Sequence, residues 1–167
     1  MQNLNTNKSI NQYDVCIIGG GASGLTASVI LAKRGFKVVI LERLVKIGRK
    51  VLVSGNGKCN LMGTGNLSEK YNTDEVLKIL DDKINEKIEA FFNEIGVYLK
   101  LDKNRYYPYS GQSSTVLNAF LKQITNLNID VMTLSEVVSI SGHSPFQIST
   151  SNGTKYVAKN IVLTSGS

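Results

Sequence analysis

The apolar positions fall into unbroken runs, helical repeats and alternating stretches, in an order that predicts a fold. YDVCIIGG at 13–20 has the length and β-branched content of a strand buried on both faces. ASGLTASVILAKRG at 22–35 has helical length, small residues early, Lys33 and Arg34 in its last turn and Gly35 as a stop. FKVVILE at 36–42 is a second buried strand. Strand, helix and strand in about 30 residues make a βαβ unit with a right-handed crossover. From Arg43 to about Asn72 no period holds, and Gly48, Gly55, Gly57, Gly63 and Gly65 punctuate a long loop. The segment 73–96 reads as a helix capped by Thr73 or Asp74. Ile79, Leu80, Ile84, Ile88, Phe91, Phe92 and Ile95 recur along it at helical spacing, and Asp81–Asp82 is a candidate break. Residues 97–110 predict a hairpin turning at Asp102–Asn104, 113–128 a helix with a serine cap, and 129–134 a strand. EVVSIS, PFQIST and TKYVA, joined by turn sequences, predict a β-meander, and NIVLTSGS a separate final strand. The fold class is therefore α/β: a Rossmann-like dinucleotide-binding domain with a central parallel sheet and a β-meander.

Composition narrows the class. The chain has 167 residues and 42% hydrophobic content, enough for one full core and not clearly for two. No run reaches the roughly 20 apolar residues of a membrane span. Residues 1–12 are polar and Asn-rich and read as a disordered tail, unlike a signal peptide. Two cysteines do not make a disulfide scaffold, so a cytoplasmic protein is expected. The net charge of +6 is uneven: 33–58 holds eight basic residues and one acid, Glu42. Such a block can attract a nucleic-acid backbone or an anionic small molecule, or can simply face solvent.

The first βα turn chooses among these. It reads GGGASG, with Gly19-x-Gly21-x-x-Gly24 between an apolar strand and a helix, and Glu42 lies 18 residues beyond Gly24. Gly19 permits the tight turn, Gly21 lets backbone N–H groups approach a pyrophosphate, and Gly24 lets the helix pack close. The helix N-terminus offers donors and partial positive charge to the phosphates. Glu42 can accept from ribose hydroxyls. An acid there suits a free 2′-hydroxyl and would repel a 2′-phosphate, which favours FAD or NAD over NADP.

GGGASGLTAS, LER…GRKVLVSGNGKCN and RYYPYSGQSSTVLNAF together resemble the BaiN/aminoacetone-oxidase-like flavoproteins, a group of NAD(P)/FAD-dependent oxidoreductases. The resemblance runs from about Tyr13 to the last residue. It implies a glutathione-reductase-like FAD domain, into which a largely β substrate domain is inserted before the chain returns to close it. By resemblance, Gly19, Gly21, Ala22, Ser23 and Gly24 hold the pyrophosphate, Glu42 with Arg43 beside it meets the adenosine ribose, and Arg49 and Lys50 lie along the phosphates. Ser54, Gly55, Asn56, Gly57, Cys59 and Asn60 pass near the ribityl chain and flavin. Val137 reads adenine through its backbone, and Thr164, Ser165 and Gly166 stand in for a terminal Ala-Thr-Gly turn. Family members run on well beyond residue 167. The expectation is that 13–167 is the N-terminal portion of an FAD-binding domain, without the inserted domain and closing segment.

Other chemistries fail on the residues. A P-loop would need Gly at 52 and Ser or Thr at 59, where the chain has Leu52 and Cys59. One histidine, His143, and two separated cysteines make no structural zinc site, and no G-x-S-x-G elbow is present. Cys16 reads as a core residue. Cys59 follows Lys58, which could lower its pKa, and has a packing or a redox role. Tyr106, Tyr107 and Tyr109 could line a pocket or pack the hairpin. Nucleic-acid binding would need aromatics beside the charge, and Phe36 is the only one in 33–58. The expected partners are thus a dinucleotide and, in the full-length protein, a small-molecule substrate, with no nucleic acid, membrane or metal. The function that follows is the FAD-binding portion of a flavin-dependent oxidoreductase with NAD(P)H as electron donor. The alternatives are a nucleotide-binding fragment without catalysis and an NAD-dependent dehydrogenase domain. No catalytic acid or base is named.

Overall fold

A computed structural model of the chain describes residues 11–65, 75, 80 and 83–166. The expected caps at Thr73 and Asp74 and the break at Asp81–Asp82 lie outside the described residues. The chain forms two compact units: unit 1 is Met1–Ile47 with Ile124–Ser167, and unit 2 is Gly48–Gln123.

Unit 1 is built on β1 (Asn11–Ile18), α1 (Ala22–Lys33) and β2 (Val38–Leu41). All four residues of β2 are buried, so it reads as an uninterrupted apolar run without alternation. The first strand starts at Asn11, inside the segment whose composition suggested a tail, because Asn11 and Gln12 pair with Tyr156 and Val157. Strands β6 (Asp130–Met132), β7 (Val137–Ser141), β8 (Phe146–Thr150) and β9 (Lys155–Leu163) complete a six-stranded sheet in the order β6-β2-β1-β9-β8-β7. Strands β6, β2, β1 and β9 run parallel, and β9-β8-β7 is the antiparallel meander.

One expectation is corrected here. TKYVA and NIVL are not separate strands but a single nine-residue strand, β9. Lys159 and Asn160 look like a break in sequence. In the fold the Lys159 Nζ pairs with the Asp14 carboxylate at 2.7 Å and the Asn160 amide donates to the Asp14 carbonyl at 3.2 Å. Through this length β9 serves both parts of the sheet, its Lys155–Ala158 end pairing with β8 and Tyr156–Leu163 with β1. The core includes Tyr13, Cys16, Val39, Leu41, Ile148, Tyr156 and Ala158. Tyr13 sends its hydroxyl to the Asp130 carboxylate at 2.8 Å, giving its polar tip a partner.

Unit 2 holds α2 (Arg49–Val53), β3 (Met62–Gly63), α3 (Ile84–Glu94), β4 (Leu99–Asp102), β5 (Arg105–Pro108) and α4 (Ser113–Asn126), whose last turn re-enters unit 1. The stretch that shows no period in sequence therefore contains a short helix. The hairpin forms as expected and turns through Lys103, at φ 56°, and Asn104. Phe91, Phe92 and Phe120 join α3 to α4, with ring centroids 5.4 to 6.1 Å apart. Ser113, expected as a cap, is the first residue of α4, and its hydroxyl donates to the Leu52 carbonyl at 2.7 Å.

Cys16 is fully buried mid-strand, and burial pushes its thiol up to about 12. An unfolded thiol ionises near 8.5. In that window the unfolded chain has lost a proton that the folded chain keeps, so this group's stability contribution falls as pH rises. The slope is about 1.4 kcal/mol per pH unit. Cys16→Ala should flatten the alkaline fall in urea midpoint between about pH 8.5 and 11, whatever it does to the midpoint at pH 7. An unchanged alkaline slope would contradict the assignment.

Candidate functional site

The ends of β1, β2 and β9 meet at the first βα turn of unit 1, and glycine makes the meeting sterically possible. Gly19 has φ +107°, and a Cβ there would lie 2.5 Å from the Thr164 carbonyl oxygen. A Cβ on Gly24 would collide with the Gly19 carbonyl and lie 2.8 Å from Thr164 Oγ1. Thr164 locks the junction: its N–H donates to the Ile18 carbonyl at 2.9 Å and its hydroxyl lies 2.8 Å from the Gly19 carbonyl. Gly21 differs. A Cβ there would meet nothing within 4 Å, so its backbone borders open space.

Gly21 is also the residue before α1. No side chain caps that helix, and its first turn carries no acid. Ala22 and Ser23 are exposed. Uncapped amides at a helix start, beside open space and without a resident carboxylate, can hold an anion.

Glu42, just past β2, is held in place by its own backbone surroundings. One carboxylate oxygen accepts from the Gly20 N–H and the other from the Leu44 N–H, both at 2.8 Å. A carboxylate has about four lone-pair sites, so two such bonds orient it and leave acceptor capacity. The Glu42 carbonyl accepts from the Ser135 N–H at 2.9 Å, which ties the approach to the meander to the same residue. Val137 follows at the start of β7, paired with Thr150. Arg43 is exposed next to Glu42, and Ser165 and Gly166 follow Thr164 at the end of β9. Gly19, Gly24 and Glu42 thus converge around one turn of unit 1. Thr164 belongs to the terminal turn that the resemblance implies, whereas Gly20 is not among the expected site residues, and the GGG run is its only signal in sequence.

Arg49, Lys50 and Ser54–Asn60 belong to unit 2. The loop is compact, not loose. The Cys59 N–H donates to the Ser54 carbonyl at 3.0 Å and the Lys58 N–H to the Gly55 carbonyl at 3.1 Å. Gly55, Asn56, Gly57 and Cys59 all have positive φ, and Asn56 and Cys59 carry side chains in that region at 55° and 59°. Cys59 is 5% exposed, and burial pushes its thiol up while a hydrogen bond with Ser54 pulls the other way. The sequence suggested that Lys58 would lower this pKa. The direction is the reverse, because the side chain is packed inside its unit. Lys58 Nζ instead lies 5.9 Å from the centroid of the Tyr107 ring. Among the described residues no helix is long and apolar enough to cross a membrane, and no three His, Cys, Asp or Glu side chains gather as a metal site.

A family model described as the HI0933-like protein Rossmann domain matches residues 13–167. The chain belongs to this family. It is 29% identical over 158 residues to a 3-dehydro-bile acid delta(4,6)-reductase of Clostridium scindens, covering 90% of this chain and 38% of the relative. A shorter match, 52% identical over 52 residues, links 30% of the chain to 13% of a ribosomal RNA dihydrouridine synthase of Haemophilus influenzae. The chain thus spans well under half the length of these relatives. The fold is that of FAD-dependent oxidoreductase structures. It matches a 3-ketosteroid-delta4-(5alpha)-dehydrogenase from Rhodococcus jostii at TM-score 0.63 and 16% identity, over 97% of this chain and 47% of that one. It matches a flavocytochrome c3 fumarate reductase at TM-score 0.65 and 19% identity, over 92% of this chain and 33% of that one.

Two glycines of the HI0933-like turn should separate by substitution. Gly24→Ala forces backbone apart and should lower stability by at least about 2–3 kcal/mol. Gly21→Ala enters open space at an allowed φ and should cost about 1 kcal/mol or less. Urea midpoints check both. Equal losses would contradict the packing described.

Proposed function

We propose that unit 1 binds the ADP half of FAD and that the protein to which this domain belongs is a flavin-dependent oxidoreductase with NAD(P)H as electron donor. The observation that carries the reading is the Glu42 carboxylate, fixed by the Gly20 and Leu44 amides beside the open face of Gly21. Glu42 would accept from the adenosine ribose hydroxyls. The amides of Gly21, Ala22 and Ser23 would donate to the pyrophosphate without competition from a capping side chain. Ser165 and Gly166 would offer backbone to the cofactor, and Val137 would meet adenine. Arg43 supplies positive charge near the nucleotide. In unit 2, Arg49 and Lys50 would serve the phosphates, and Ser54, Gly55, Asn56, Gly57 and Asn60 the flavin side. The loop's internal hydrogen bonds support its role as a preformed shape. Cys59 would pack that loop, since burial keeps its thiol protonated.

Bound flavin supplies two-electron hydride chemistry. The names of the two curated relatives share one reaction type, reduction of a carbon–carbon double bond: in a ring of a bile acid and in a uracil ring. In each the double bond is conjugated to a carbonyl. The reaction class we assign is reduction of a carbonyl-activated ring double bond. Of the two substrates, only the RNA is a polyanion with stackable bases.

The test is a titration of the apoprotein with FAD, followed by flavin fluorescence and the visible spectrum. Glu42→Gln, which keeps one acceptor oxygen, should weaken binding by about 1.5–3 kcal/mol, roughly 10- to 150-fold in Kd. Unchanged affinity in a folded variant would contradict the ribose assignment, and no binding by the folded parent would contradict the whole reading.

A further inference from the structure

The sequence argues against nucleic acid because the basic residues of 33–58 lack aromatic neighbours. The fold of unit 2 supplies a ring for one of them, Lys58, and sets further cations beside rings on the same face. Pairing of Lys100 with Tyr107 and of Asp102 with Arg105 puts these residues on one face of the β3-β5-β4 sheet. The Tyr109 N–H donates to the Tyr98 carbonyl at 2.8 Å, which continues the register and adds both tyrosines to that face. Lys58 reaches the same face over Tyr107, and Lys100 Nζ lies 5.6 Å from the Tyr109 ring centroid. The opposite face, by the same alternation, carries Met62 and Pro108, which are buried, and Leu101, which is exposed.

The outward face thus carries three tyrosines and three cations, Lys58, Lys100 and Arg105, against one acid, Asp102. Tyr98 is 69% and Tyr109 72% exposed. Exposure of this much ring surface is unexplained by hairpin packing. Rings interleaved with cations match a single strand, whose bases stack on aromatics and whose phosphates meet the positive charge. An acidic peptide would use the cations and leave the rings without a role.

We propose that this face docks single-stranded RNA, with bases stacking on Tyr98 and Tyr109 and phosphates meeting Lys58, Lys100 and Arg105. The choice of RNA rests on the reading above, in which a ribosomal RNA is the substrate named for one of the two relatives. The site lies within unit 2; Lys58 sits in the loop whose other residues are assigned to the flavin side, while Tyr98, Lys100, Arg105 and Tyr109 carry no cofactor assignment.

The test is fluorescence anisotropy with a labelled oligouridylate of about 15 nucleotides, a length in the range that such surfaces cover. Saturable binding should weaken with salt at a log–log slope near −2, since about three cations contribute roughly 0.7 each. Tyr98→Ala with Tyr109→Ala should raise Kd at least roughly 10-fold. Lys100→Ala should make the slope shallower by about 0.7. Both variants should keep the parent's urea midpoint and FAD affinity, so failure of RNA binding with FAD binding intact condemns this proposal alone. Absent binding, silent tyrosine substitutions or equal competition by polyglutamate would each overturn it.

Discussion

The fold depends on a close approach of backbone to backbone. Where β1 ends, the Gly19 carbonyl lies under the start of α1 and beside Thr164 at the end of β9. A Cβ on Gly19 or Gly24 would occupy space already taken by carbonyl groups. Two segments distant in sequence, 18–24 and 163–166, are brought together there by the absence of two methyl-sized groups and by the Thr164 hydroxyl. Strands β1 and β9 pair along their whole shared length, so the junction also sets the register from Asn11 to Leu163.

The candidate site follows from that junction. With α1 held hard against the strands, its uncapped amides point past Gly21 into open space. Gly20, between the two close-packed glycines, has its N–H turned to Glu42. The acid is therefore a positioned group, not a mobile surface carboxylate, before any ligand arrives. Preorganisation of this kind reduces the ordering cost of binding. The turn belongs to the Rossmann domain of the HI0933-like family.

Local signals were legible in the sequence, and long-range ones were not. The βαβ unit, the glycine spacing and the acid after β2 are visible because each expresses a local rule of sterics or burial. The hairpin around Lys103–Asn104 was legible for the same reason. Continuity of β9 through Lys159 and Asn160 was not, since Asp14, their partner, lies 145 residues away. Of the two roles open to Cys59, packing fits the buried thiol, while the lowering of its pKa by Lys58 does not hold, because the fold buries the thiol and turns the lysine toward Tyr107. The same displacement hid the aromatic partner of Lys58: sequence distance is a poor guide to what a lysine meets.

The central claim is that the βα turn and Glu42 hold the ADP half of a dinucleotide. The most direct measurement is an amide chemical-shift titration of the isotopically labelled chain with ADP. Saturable shifts are expected, concentrated at Gly20, Gly21, Ala22, Ser23 and Leu44. Shifts absent from these amides, or centred on the meander turn around His143, would contradict it.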